Sequence, residues 1–182
     1  MQKLKNFLSS VSTEVFNELL EVVNPKNEIM GKTIPDVTVW KFCDVMDLME
    51  AKLLDATIKL INTFANDSET PITEEDLLEL DAKEFMSFAK HLKDEFKKVE
   101  ILMQQLEREP DQDMIDAGMH NMNKFGVLAI YYAISKDPTT WDKISEAPFG
   151  RMYTKLLMDK ETAEIQDKYQ KAMMRKQKQK QR

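Results

Sequence analysis

An all-α fold, a compact bundle of five or six helices with a protruding basic C-terminal helix or tail, is predicted by three observations. Glycine (4 residues) and proline (6) are too scarce for a turn-rich β chain. Apolar residues recur at steps of three and four along most of the 182 residues, the spacing of one helix face. Short polar or proline-bearing breaks divide these stripes without any low-complexity linker, so residues 1–167 are expected to form one helical domain and 168–182 a basic tail.

Between Leu4 and Val23, the residues Leu4, Phe7, Leu8, Val11, Val15, Phe16, Leu19 and Val22 keep helical spacing. Ser12 or Thr13 offers a restart, so one or two helices precede Pro25. The connector Asn24 to Pro35 holds Pro25, Asn27, Gly31 and Pro35, and reads as a loop or a brief extended segment. A long helix is expected from about Val37 to Ala65, with Val39, Phe42, Cys43, Met46, Met49, Leu53, Ala56, Leu60 and Phe64 on its apolar stripe. Asn66, Asp67, Ser68 and Pro71 then break it.

Two helix starts follow closely: Thr73 with Asp76, and Asp81 with Glu84, each able to satisfy first-turn amides. The second opens the clearest helix of the chain, with Phe85, Phe88, Ala89, Leu92, Phe96, Val99, Leu102, Met103 and Leu106 on one stripe. Lys90, Lys93, Asp94, Glu95, Lys97, Lys98 and Glu100 are assigned to its solvated face. Pro110 closes this helix, and Asp111 or Asp113 can cap the next. That next helix carries Met114, Ile115, Met119, Met122, Phe125, Ala129, Ile130 and Ala133; its end, GVLAIYYAI, is apolar on most sides and is expected to be the most enclosed helix. Asp137 and Pro138 begin a short turn through Trp141 and Ile144. Pro148 and Gly150 separate it from a last segment bearing Met152, Tyr153, Leu156, Leu157, Ala163, Ile165, Tyr169, Ala172 and Met173, whose finish RKQKQKQR has no apolar residue left to pack and should fray.

The net charge of −6 is unevenly spread. Seven basic residues and no acid lie from Lys168 onward, leaving 19 basic against 32 acidic residues before it, or −13. The lone Cys43 cannot form an intramolecular disulfide, the first residues do not read as a signal peptide, and no apolar run reaches the roughly 20 residues of a membrane helix. A reducing, cytosolic setting without membrane contact is expected.

Materials for catalysis are thin. Cys43 sits among Phe42 and Met46, where a thiol fills space rather than reacts. His91 reads as a helix-boundary residue, and His120 as an exposed one or a partner contact. Two separated histidines and one cysteine make no zinc signature. Glu74, Glu75, Asp76, Glu79 and Asp81 are better explained by the positive end of a helix dipole than by paired-carboxylate chemistry. No enzyme and no cofactor are expected.

The 13 methionines serve a core or an adaptable binding surface. Met46, Met49, Met103, Met119 and Met122 weigh toward the core, yet Met46, Met49, Met119 and Met122 are also the candidates for partner contact. Lys176, Lys178, Lys180 and Arg182 are the basic candidates, able to meet an acidic protein surface or, without any base-reading motif, nucleic acid in a salt-sensitive way.

The succession TIPDVTVWKFCDVMDL followed by ITEEDLLELDAKEFMSFAKHL, roughly Ile34 to Leu92, resembles the tail assembly chaperones of long-tailed bacteriophages. The resemblance implies a non-enzymatic helper in the cytoplasm of an infected bacterial host. It would bind the long helical tape-measure protein and assist tail-tube subunits to assemble, with self-association possible. The alternatives are a structural or scaffold protein of a virion, and a nucleic-acid-associated protein using its basic end.

Overall fold

The fold is organised by two places where a pair of helices is stitched together at their first residues. The computed structural model describes residues 2–65, 70–107 and 112–180; Asn66, Asp67, Ser68, Pro110, Asp111 and Arg182 of the sequence reading lie outside them. In the first stitch, α1 (Leu4–Leu8) and α6 (Ala82–Leu106) exchange backbone hydrogen bonds: Leu4 N–H donates to Leu80 O (2.8 Å) and Ala82 N–H to Gln2 O (2.9 Å). In the second, α3 (Phe42–Glu50) and α10 (Phe149–Lys180) do the same, Phe42 N–H to Ala147 O and Phe149 N–H to Trp40 O, both 2.8 Å. First-turn amides have no intrahelical acceptor, so each stitch satisfies orphan donors while fixing which helices are neighbours. The residues just past the stitches are core: Leu4, Phe42 and Phe149 are fully buried, and the rings of Phe42 and Phe149 stack with centroids 6.2 Å apart.

Side-chain caps reinforce several starts. Ser12 accepts from Val15 N–H ahead of α2 (Thr13–Val22), so the N-terminal stretch is two helices. Thr73 and Asp76 form a reciprocal capping box on α5 (Glu74–Leu78), and Asp81 accepts from Lys83 and Glu84 N–H at the start of α6. Along α6, Phe85, Phe88, Ala89, Leu92 and Val99 are buried on the expected stripe.

The connector from Asn24 to Pro35 is a small hairpin, β1 (Glu28–Ile29) paired antiparallel with β2 (Lys32–Thr33). Its two-residue turn has positive φ at both Met30 (52°) and Gly31 (70°), the sign pattern that suits the twist of a tight hairpin. Glu84 holds it to α6 by accepting from Met30 N–H at 2.7 Å. Through this hairpin Ile29 and Ile34 reach the core, which periodicity alone did not foresee.

Three sequence expectations are overturned. The single helix from Val37 to Ala65 is instead a 3-10 turn (Val37–Val39), α3, α4 (Leu53–Leu60) and a π turn (Ile61–Ala65), broken by extended backbone at Trp40–Lys41 and Ala51–Lys52. The break rotates the buried face. Phe42, Val45 and Leu48 are buried on α3, leaving Cys43 and Met46 half-buried and Met49 and Val39 exposed, while Trp40 is fully enclosed with its indole N–H on Pro35 O. Glu95, placed on the solvated face of α6, is 2% exposed and accepts from Val37 N–H at 3.0 Å while pairing with Lys98. Gly150 lies within the first turn of α10 rather than before it; a Cβ there would stand 3.1 Å from both Cβ and O of Thr38, so the absence of a side chain lets α10 approach that residue.

The chain closes with α9 (Trp141–Glu146), entered through a 3-10 turn (Pro138–Thr140) capped by Asp137, and then α10. α10 runs unbroken to Lys180, so the basic finish is helical that far. Its first half packs on the 3-10 turn at Val37–Val39 and on α6, where Tyr153 Oη donates to Gln105 Oε1 (2.7 Å) and Lys160 Nζ to Gln105 O (2.6 Å). Among the described residues the architecture is all-α save for the hairpin.

Candidate protein-binding surface

The stretch from Gln112 to Ile134 departs most from the sequence reading. A single enclosed helix was expected; the structure has α7 (Gln112–Asp116), a 3-10 turn (Met119–Phe125) and α8 (Val127–Ile134). Gly118 (φ 89°) and Gly126 (φ 52°) stand at the two joints, in backbone that residues with a Cβ rarely adopt. Each joint turns the apolar stripe to a new direction, so one helix face cannot bury it all. α8 packs against α9 and α10 with Tyr131 and Ile134 buried. Its flank is open, with Leu128 47% and Tyr132 44% exposed; Val127, in line with Tyr131 and Ile134, is exposed where the helix begins, and Phe125 at 47% adjoins it. Met114, Ile115 and Met122 on the preceding pieces are exposed too. The most enclosed helix is the first half of α6, where Ala82 and every residue from Phe85 to Ala89 are buried.

Seven large apolar side chains within nineteen residues are exposed on elements that pack in succession, α7 on the turn and the turn on α8. Lys124 Nζ stands 5.1 Å from the centroid of the Phe125 ring, so a cation flanks the aromatic without covering the rest. Scattered apolar residues are ordinary on a surface; a succession of this density is the kind of feature that marks a protein contact.

The predicted contact residues occupy separate parts of the fold. Met46 and Met49 lie on α3, which packs on α9 and α10. Met119 and Met122 lie in the 3-10 turn; Met122 is exposed, and the Met119 side chain lies outside the described ones. Lys176 and Lys178 are exposed near the end of α10, Lys180 is its last helical residue, and Arg182 is beyond the described residues. Spacing in the sequence did not single out Phe125, Val127, Leu128 and Tyr132 as contacts. Their signal was there in GVLAIYYAI, which is too apolar all round for a helix with one neighbour face.

The acidic run serves structure. Asp76 accepts from Thr73 N–H and Oγ (2.9 and 2.8 Å), and these bonds hold its carboxyl below the usual range. Glu79 pairs with Lys3 and Lys5, which lower it to about 2. A shallow groove brings Asp36, His91, Glu95 and Lys98 together. There Asp36 is committed to Thr38 N–H (2.9 Å) and Glu95 to Val37 N–H, so both carboxylates hold the 3-10 turn. His91 Nε2 is buried without a partner, and burial pushes the imidazole down. His120 is exposed. Among the described residues no group of three His, Cys, Asp or Glu side chains is placed to hold a metal ion, and no helix is long and apolar enough to cross a membrane.

No protein-family profile, characterised protein or solved structure matches this chain. Its surface chemistry therefore carries the functional argument.

Proposed function

We infer that this protein is a non-enzymatic assembly chaperone that holds an amphipathic helical partner, of the kind a phage tape-measure protein presents, until tail-tube subunits replace it. The single observation that supports this is the exposed apolar succession from Met114 to Tyr132. An amphipathic helix offers an apolar stripe that can cover such side chains, and Met side chains repack against differing partners. The resemblance of Ile34 to Leu92 to tail assembly chaperones names the partner class. The basic end of α10 adds attraction for an acidic partner surface.

The test is co-expression with a tape-measure protein, followed by affinity capture and mass spectrometry of finished particles. The chaperone reading requires capture of the long partner and absence of this chain from mature virions. Stoichiometric presence in virions would transfer the assignment to a structural protein. Phe125→Ser with Leu128→Ser should weaken partner binding by about 30-fold or more, the scale of losing one anchor side chain of roughly 2 kcal/mol, while far-UV circular dichroism stays unchanged.

A further inference from the structure

We propose that a second copy of this chain docks antiparallel along the outward face of α10, placing Ile165 of each copy beside Tyr169 of the other. The inference does not depend on the chaperone reading. α10 carries two apolar lines. Met152, Leu156 and Ala163 are wholly or partly buried on the side that meets the body. Advancing about 100° per residue, Met158, Thr162, Ile165, Tyr169 and Ala172 fall on the opposite side, at alternating steps of four and three, the seam of a two-helix coiled coil. Ile165 is 63% and Tyr169 65% exposed, and Met158 and Met173 are exposed alongside. Before Met158 the same line is polar, with Arg151 and Thr154, so the outward apolar stripe begins where the helix is leaving the body.

Charge selects the occupant and its direction. From Met158 to Asp167 the helix has Asp159, Glu161, Glu164 and Asp167 against Lys160, whose ammonium is bonded to carbonyls of the body at Gln105 and Glu107; Asp159 and Glu164 also pair along the helix with Lys155 and Lys168, exposed contacts that leave the span acidic. From Lys168 to Lys180 it has six basic residues and no acid. A parallel copy would set the basic halves against each other, whereas an antiparallel copy sets each basic half against an acidic one. The seam fixes the register: with Ile165 opposite Tyr169 of the second copy, Thr162 meets Ala172, Met158 meets the stem of Lys176, and Glu161 lies beside Arg175, each contact made twice. Each body lies on the far side of its own helix and leaves the pairing face clear. The seam from Met158 to Lys176 is about 27 Å long, short enough to put the contact among small, concentration-dependent ones.

Sedimentation equilibrium on the full chain in low salt should show conversion from monomer toward dimer between about 1 and about 100 μM. Ile165→Lys with Tyr169→Lys should remain monomeric throughout, with unchanged circular dichroism. Glu161→Arg alone, or Arg175→Glu alone, should weaken the dimer about three- to ten-fold, and the two together should restore it. In a Cys43→Ser background, a mixture of Thr162→Cys and Ala172→Cys chains should form a disulfide between them, and neither chain alone should do so. A monomer at about 100 μM, a dimer indifferent to Ile165 and Tyr169, self-crosslinking by Thr162→Cys, or a chain that stays monomeric while its basic end binds a short DNA duplex would each overturn the proposal.

Discussion

Glu95 shows how one side chain can matter more than its neighbours on the same helix. It is acidic and flanked by Asp94 and Phe96, yet it is buried, bonded to Val37 N–H and paired with Lys98. Removing it with Glu95→Ala strands a buried amide and should cost about 2–3 kcal/mol in urea unfolding; Lys97→Ala, two residues further on and exposed, should change stability by less than about 0.5 kcal/mol. His91 acts in the pH dependence. Burial keeps its folded pKa below the ordinary 6.5. Above pH 6.5 both states are neutral and the folded chain keeps its full advantage; as pH falls below 6.5 the unfolded chain binds a proton that the folded one resists, and stability declines. Thermal melts between about pH 7.5 and about pH 5.5 should therefore show a larger loss for the natural chain than for His91→Gln. Gly150 is a matter of space: Gly150→Val would push Cβ and its methyls into Thr38, 3.1 Å away, and should cost about 1–3 kcal/mol.

Elements are held by their ends as much as by their faces. The two backbone stitches join helix starts far apart in sequence, Leu4 to Ala82 and Phe42 to Phe149, and each delivers core residues next to the joint. Phe42→Ala should cost about 3–5 kcal/mol, because it empties a site walled by Phe149 and Tyr131. The hairpin turn trades strain for packing. Met30 holds φ 52° without being glycine while its side chain packs against the core, so Met30→Gly relieves about 1 kcal/mol of backbone strain but gives up that packing and adds entropy to the unfolded chain; a net fall in melting temperature checks it. On α8, the open face makes Leu128→Ser a nearly neutral change for stability, within about 1 kcal/mol, in contrast to Ile134→Ser on the buried face of the same helix.

For the molecule as a whole, the all-α class, the caps at Ser12, Thr73, Asp81 and Asp137, and the buried stripe of α6 were legible in the sequence, because each depends on residues within a turn or two of one another. The candidate surface was legible only as an excess of apolar residues at GVLAIYYAI, with the wrong inference of enclosure. What periodicity could not supply was direction. Trp40–Lys41 turns extended, so α3 buries Val45 and Leu48 in place of Cys43 and Met49; Gly118 and Gly126 turn the chain again, so Phe125, Leu128 and Tyr132 face out. Local spacing says that a helix has an apolar side. Which side meets the body, and which is left for another protein, is set by long-range backbone pairing and by the few dihedral angles between helices, and those are decided only when the whole chain packs.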